Sequence, residues 1–339
     1  MTGGPVLVLG GSGYLGRHIC AVFADSGATV VRVSRSAALP DTTPGATPGA
    51  KLGATPDATS AAPPRAGAPA RAVRMDLATA RTAELAALCA DTGARVLVNA
   101  CGAVWGGGER EMSALNADLV GRLTDAVAGL SRPPRLIQLG SAYEYGPARH
   151  GEAVDEDWPL EPATAYGRTK LRGSQTVLRA AREHGLDGVV LRVSVACGPG
   201  APRASLPGLV AAHLVTGRDE LRLAPLRSYR DLVDVRDVAV AVLAAARAPA
   251  RAVTGQVVNI GRGAAVPVRR LVDLLIAYSG RSLRVVEERP PDGTRSDMPW
   301  LRLDIARARR LLGWTPRRSL EDSLRDLLAD AGCQGKDGR

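Results

Sequence analysis

Short apolar runs alternate with helical stretches through the first half of the chain. Val6–Leu9, Thr29–Val33, Ala72–Met75, Arg95–Asn99, Arg135–Leu139 and Gly188–Val193 are rich in β-branched and apolar residues at successive positions. Runs of that kind are strands buried on both faces, as in a parallel sheet covered by helices. Between them, residues 14–26, 81–91, 109–130 and 164–184 space their apolar residues at helical intervals. The alternation predicts an α/β fold, a Rossmann-type doubly wound parallel sheet. Right-handed crossovers then bring the C-terminal ends of the strands to one edge, where ligands bind.

The second half is less regular. A strand at 230–235 leads into a helix at 237–247, and a strand at 256–260 into a helix at 267–279. A strand at 283–287 and helices at 304–312 and 319–330 complete the pattern. This predicts a Rossmann core over 1–190 and, over 191–331, a smaller substrate-binding lobe with some segments returning to the core. A polar tail runs over 332–339. Residues 37–70 break the rhythm. They are almost all Pro, Ala, Thr and Gly, which block regular hydrogen bonding and offer little apolar bulk, so they read as a flexible surface insertion.

Composition narrows the class. Of 339 residues, 45% are hydrophobic and 23% charged, as in ordinary globular proteins. No apolar run reaches the ~18 residues of a membrane span, so no membrane partner is expected. The N-terminus carries no basic, apolar leader pattern, and a cytoplasmic location is expected. The net charge is +10, with 44 basic and 34 acidic residues. A nucleic-acid partner does not follow. The arginines are scattered, and aromatics at 3% are too few for a base-stacking platform. The excess suits an anionic small molecule. Five cysteines, none in CxxC spacing, indicate neither a metal site nor a disulfide framework.

The strongest local signal is Gly10-Gly11-Ser12-Gly13-Tyr14-Leu15-Gly16, between a strand and a helix. Glycines let a backbone turn sharply and approach a pyrophosphate, whose charge sits at the helix N-terminus. An acidic residue ending the second strand would bind a ribose 2′-hydroxyl and repel a 2′-phosphate. Here the strand ends Val33-Ser34-Arg35-Ser36. Ser34 can donate a hydrogen bond and Arg35 can pair bidentately with a phosphate, which favours NADP(H) and leaves NAD(H) open.

Tyr166 and Lys170 stand four apart in a helical stretch and so share a face. A tyrosine ionises at about pH 10, and a nearby ammonium favours the phenolate, so the pair makes a general acid/base. Lys170 is one of three lysines in an arginine-rich chain. Ser141 follows the fifth predicted strand in Gly140-Ser141-Ala142-Tyr143-Glu144-Tyr145-Gly146 and can donate to a substrate carbonyl oxygen.

At these residues the chain resembles the extended short-chain dehydrogenase/reductase family, the NAD(P)-dependent epimerase/dehydratase group. Gly10, Gly13 and Gly16 match its GxxGxxG. Asp76-Leu77 match a pair that contacts adenine, and Asn99-Ala100-Cys101 a segment beside the cofactor. Ser141, Tyr166 and Lys170 match its catalytic triad. Residues 230–238 resemble its RDfvhVxDva element and residues 312–316 its LGWxP turn. The resemblance implies that Tyr166 passes a proton while Lys170 holds the cofactor ribose and lowers the tyrosine pKa. It also implies a homodimer built on the helices near 109–130 and 164–184.

Departures narrow the expectation. The family's dehydratases carry an Asp-Glu pair where this chain has Ala142 and Tyr143, so dehydration is disfavoured. Val195 replaces an asparagine usual in that segment, so substrate contacts there differ. Trp105, Tyr143 and Arg230 are further substrate-binding candidates, Arg230 for a diphosphate or else as an ion pair with Asp231 or Asp234. The implied activity is NADPH-dependent reduction of the C4 ketone of a nucleotide-linked 4-keto-6-deoxysugar. The alternatives are a nucleotide-sugar 4-epimerase holding NAD, and a non-catalytic NADP(H)-sensing protein.

Overall fold

A computed structural model describes residues 4–35, 71–103, 108–288 and 298–333. The 37–70 insertion and Trp105 lie outside these described residues, as does all but the start of the polar tail. The first strands are β1 (Val6–Leu9), β2 (Val30–Ser34), β3 (Arg71–Arg74), β4 (Val96–Asn99), β5 (Arg135–Ser141) and β6 (Gly188–Val193). The later ones are β7 (Val195–Cys197), β8 (Glu220–Leu223), β9 (Tyr229–Asp234), β10 (Val257–Ile260), β11 (Ala265–Pro267) and β12 (Arg284–Glu287).

Seven of these form one sheet in the order β10-β6-β5-β4-β1-β2-β3. Every pair in it is parallel. The expected doubly wound α/β sheet is therefore present. Its strand order reverses between β1 and β4, the crevice where such sheets take ligands. Side chains alternate between two cores. Val8, Val98 and Ile137 meet Ile19 and Phe23 of α1 (Tyr14–Asp25) on one face. Leu7, Leu97 and Leu136 meet Leu85 of α2 (Thr82–Thr92) on the other.

The long helix expected over 109–130 is divided into α3 (Glu109–Ser113), a π turn (Ala114–Asp118) and α4 (Leu119–Ala128). The wider turn carries Asn116, whose side chain binds both the N–H and the C=O of Ala103, at 3.1 and 3.0 Å. Helix α5 (Ala165–His184) packs beside it. The apolar faces of α4 and α5 turn inward, and their outer faces show Asp125, and Arg168, Arg172 and Arg179. Two strands differ slightly from expectation at the cofactor edge. Ser34 is the last residue of β2, and β5 runs on to Ser141 because its register with β6 continues through Gly140↔Arg192 and Ser141↔Val193.

Two segments of the second half lie with the core. Strand β10 closes the main sheet, and the helix Val235–Arg247 packs on α1. Asp234 starts that helix by accepting the Arg236 N–H at 2.8 Å, which ends the preceding strand one residue earlier than the sequence suggested. The rest forms a small lobe. It holds a three-stranded sheet in the order β11-β9-β7, a β12-β8 pair and the helices Leu206–Thr216, Val268–Ser279 and Leu320–Asp330, around Val210, Leu232, Leu271 and Leu324.

Candidate active site

The Gly-rich loop closes tightly on itself. Gly10 sits at φ +72°, and its carbonyl accepts the Gly13 N–H at 2.9 Å. A Cβ on Gly16 would lie 2.1 Å from that same oxygen, so only glycine lets α1 seat against the loop. Helix α1 starts with no side-chain cap and no acidic residue in its first turn. Its first N–H groups and its dipole suit an anion. Leu15 packs on the core, and the Tyr14 hydroxyl donates to Gly198 O at 3.4 Å, tying α1 to the loop after β7. A bare backbone cradle ahead of an uncapped helix fits a dinucleotide.

The flanking candidates take distinct roles. Leu77 enters the core, while exposed Asp76 accepts the Ala78 N–H at 3.1 Å and shapes the turn after β3. Asn99 is buried. Its amide donates to Gln138 at 2.8 Å, and its oxygen accepts the Cys101 N–H at 3.2 Å. Ala100 donates to Leu9 O at 3.1 Å. These bonds press the 99–101 turn against Gly10, whose added Cβ would meet Cys101 Sγ at 2.9 Å. Burial pushes the Cys101 thiol up to about 12, while the charges of Lys170 and Arg35 pull the other way. Lys170 and Arg35 thus both bring their charge near this turn. Ser34 is buried and Arg35 is exposed at the strand end.

The structure brings Ser141 to Tyr166, and Lys170 follows one turn further along α5. Ser141 caps a single 3-10 turn, Ala142–Glu144, accepting the Tyr143 N–H at 3.2 Å. Its side chain hydrogen-bonds Tyr166. The first turn of α5 reaches it because position 167 is glycine: a Cβ there would lie 2.1 Å from Tyr143 O. The Tyr143 and Tyr166 rings meet edge to face, with centroids 6.0 Å apart.

The electrostatics differ from the family expectation in one respect. Lys170 Nζ donates to Leu139 O at 2.6 Å, and burial pulls its pKa down while the charge of Glu144 opposes this. Burial pushes the Tyr166 phenol up to about 12, and the group that lowers it is Ser141. Lys170 stands at the floor of the site rather than on the phenol.

The remaining candidates lie in the small lobe. Val195 in β7 packs at the junction of two apolar clusters. Arg230 is 9% exposed and donates to Met298 O at 2.6 Å and Tyr229 O at 2.8 Å. Among the described residues it forms no ion pair with Asp231 or Asp234. Asp231 instead accepts the N–H groups of Arg262, Gly263 and Leu303, and Asp234 pairs with Arg236 at 2.8 Å.

Two residues not singled out from the sequence support the site. Glu144 is fully buried. One carboxylate oxygen accepts the Ser141 N–H at 2.7 Å and the Ser174 hydroxyl at 2.9 Å, and the other accepts Arg192 Nε at 2.8 Å. Its signal was present as Ser141-x-x-Glu144, the capping-box spacing. Asn116 also donates to Thr169 at 3.1 Å, joining the π turn to α5. Its only signal was an asparagine inside a helical pattern. Turns of this width recur at functional sites.

A family model described as "NAD dependent epimerase/dehydratase family" matches residues 6–261. The chain belongs to this family. A dTDP-6-deoxy-L-talose 4-dehydrogenase (NAD(P)(+)) of Kitasatospora kifunensis is 38% identical over 327 residues, covering 95% of this chain and 94% of that one. Among solved structures, the UDP-glucuronic acid 4-epimerase of Bacillus cereus with UDP-glucuronic acid and NAD superposes with a TM-score of 0.80 at 19% identity, over 97% of this chain and 99% of that one. RMD from Pseudomonas aeruginosa complexed with NADPH gives 0.75 at 19%, over 97% and 98%. The two structures establish the shared fold. The family and the 4-dehydrogenase relative make this chain an NAD(P)-dependent oxidoreductase. Among the described residues no helix is long and apolar enough to cross a membrane.

Proposed function

We propose that this epimerase/dehydratase family member reduces the C4 ketone of a nucleotide-linked 4-keto-6-deoxysugar, with a dTDP carrier and NADPH. The observation that carries this reading is the pairing of a complete Ser141-Tyr166-Lys170 set with a β2 end that bears Ser34 and Arg35 and no carboxylate. Reduction also agrees with the carboxylates nearby. Glu144 is held by Ser141, Ser174 and Arg192, so no free acid follows Ser141 to expel a hydroxyl. The reaction named for the Kitasatospora relative, run in reverse, reduces a C4 ketone on a dTDP-6-deoxysugar.

The Gly10–Gly16 loop, the α1 N-terminus, Asn99 to Cys101, Ser34, Arg35 and Lys170 would hold NADPH. When bound, it supplies the hydride that adds to the C4 carbon. Ser141 hydrogen-bonds the carbonyl oxygen and orients it, and Tyr166 gives that oxygen its phenolic proton. The high pKa of Tyr166 keeps the proton in place at neutral pH. Ser141 stabilises the phenolate left behind, which solvent then reprotonates. Lys170, anchored on Leu139 O, would hold the cofactor ribose. Tyr143, from the turn after β5, and Val195 and Arg230, from the small lobe, would line the sugar side of the site.

The test begins with the cofactor released from freshly purified, denatured protein, and with NADPH and NADH affinities of the native form. An empty site preferring NADPH, followed by turnover of dTDP-4-keto-6-deoxysugars, supports the reductase. Near-stoichiometric retained NAD⁺ would overturn it in favour of an epimerase.

A further inference from the structure

Helix α5 carries three polar side chains along one face. Tyr166, Lys170 and Ser174 follow one another at steps of four residues, so they lie in a row. Each bonds the end of β5 or the turn that follows it. Tyr166 bonds the Ser141 side chain, and Lys170 donates to Leu139 O at 2.6 Å. The Ser174 hydroxyl donates to Glu144 Oε1 at 2.9 Å. The first two belong to the chemistry already described. Ser174 is fully buried, so neither cofactor nor sugar reaches it.

The same Glu144 oxygen accepts the Ser141 N–H at 2.7 Å. A chain of bonds therefore leaves α5 at Ser174, passes through Glu144 and Ser141, and returns to α5 at Tyr166. Gly140 makes room for it: a Cβ there would lie 2.6 Å from Glu144 Oε1 and 3.1 Å from Ser174 Oγ. The other carboxylate oxygen accepts Arg192 Nε at 2.8 Å, so the group is held at both ends. Gly167 and Gly173 set how close α5 lies, since a Cβ on either would meet a backbone oxygen at 2.1 Å. Hydrogen bonds set how it is turned. Thr169 meets Asn116 on the side of the π turn, and Ser174 meets Glu144 on the side of the catalytic turn.

We propose that Ser174 and Glu144 are positioning residues for the reaction, holding the Ser141 turn and the Tyr166 face of α5 in register so that both hydroxyls converge on one carbonyl oxygen. The inference rests on the catalytic reading of Ser141 and Tyr166 above and deepens it. Neither residue passes a proton. Glu144 acts through the Ser141 backbone, and Ser174 acts through Glu144. A reacting group misplaced by about 1 Å can slow a reaction ~100-fold, so a small loss of register is enough.

Ser174 carries the test, because changing Glu144 would strand Arg192. With NADPH and a dTDP-linked 4-keto-6-deoxysugar, Ser174→Ala should lower kcat about 10- to 100-fold. KM for the sugar nucleotide and the calorimetric NADPH affinity should each stay within about twofold. Ser174→Cys fills the same space with a weak donor and should behave like Ser174→Ala. It decides the matter if Ser174→Ala fails to fold. Ser174→Thr keeps the hydroxyl and should recover most of the lost kcat. An unchanged kcat in the alanine and cysteine variants overturns the proposal, as does a threonine variant no faster than alanine. A fall in kcat matched by equal loss of NADPH affinity and by a lower melting temperature overturns it too, making Ser174 a support of the fold. Tyr166→Phe, assayed alongside, separates these failures from that of the catalytic reading. A wild type without turnover, or a Tyr166→Phe with wild-type turnover, removes that reading and this inference together.

Discussion

Glu144 and Arg192 form an ion pair at 2.8 Å with their side chains 0% and 1% exposed. The pair joins the end of β5 to β6 directly beneath Ser141. Its remaining valences are engaged: Glu144 also takes the Ser141 N–H and the Ser174 hydroxyl, and the Arg192 guanidinium stacks on the Tyr145 ring, 4.4 Å from its centroid. Removing one partner from such a pair strands the other charge out of water and costs about 3–5 kcal/mol. Glu144→Gln should therefore lower stability by that amount in denaturant titration. Replacing both residues with apolar ones of similar size should cost clearly less than the single change. A single variant within ~0.5 kcal/mol of the wild type would show that the pair is not closed to water.

Tyr166 is the proton donor in the proposed reaction, so its loss should separate chemistry from binding. Tyr166→Phe keeps the edge-to-face contact with Tyr143 and removes only the hydroxyl. Turnover should fall about 10²–10⁴-fold, the usual worth of a general acid. NADPH affinity should change less than about twofold. Turnover close to wild type would exclude Tyr166 as the donor.

The pKa of Tyr166 also sets opposite pH profiles for the two directions. Burial pushes the phenol up to about 12, so it keeps its proton through the neutral range. Ketone reduction consumes that proton, and its kcat/KM should stay flat from neutral pH until the phenol begins to ionise. Alcohol oxidation needs the phenolate, and its kcat/KM should rise about tenfold per pH unit below that pKa. An oxidation rate that levels off near pH 7 would mean that Lys170 moves onto the phenol once ligands bind.

The parallel sheet, the position of the Gly-rich turn and the helix that carries Tyr166 and Lys170 were legible because each rests on local spacing. Apolar runs mark strands, glycines mark the loop, and an i,i+4 pair shares a helix face. What stayed hidden depends on contacts between distant segments. Asn116 matters because Ala103 and Thr169 come to it. Glu144 has a local capping-box spacing, but its partner Arg192 lies 48 residues away. The short strands β7, β8 and β11 have three or four residues each, too few for a period to show. Arg32 was visible as an anomaly in an apolar run, but its bearing on Gly11 required the fold.

That bearing predicts a coupled pair. Gly11 has an ordinary backbone, not a left-handed one, and the nearest atoms an added Cβ would meet there all belong to the Arg32 stem. Gly11→Ala should destabilise the protein by about 1–3 kcal/mol, as overpacking does. Combined with Arg32→Ala the added cost should nearly vanish, giving a coupling above about 1 kcal/mol in a double-mutant cycle. Additive effects would mean that the loop relaxes away from the stem.

Asp231 should make stability fall as pH rises from acid to neutral. Its carboxylate, buried in β9, accepts N–H groups of Arg262 at 2.6 Å, Gly263 at 3.0 Å and Leu303 at 3.1 Å, joining three segments of the small lobe. These bonds favour the charged form, but burial outweighs them and pushes the pKa up to about 6. The unfolded value is about 3.9. Between these values the native state binds more protons than the unfolded one. The contribution of Asp231 is thus fully present below about pH 4 and is lost as pH rises through about 6, on the order of 2 kcal/mol in all. Other carboxylates titrate in the same window, so the measurement is the difference between the wild type and Asp231→Asn. Asparagine brings a fixed penalty, because it sets an amide N–H₂ against backbone donors, but it does not titrate. The wild type should lose stability relative to this variant between about pH 4.5 and 7. A difference that does not change with pH would show that the three backbone donors keep Asp231 ionised throughout.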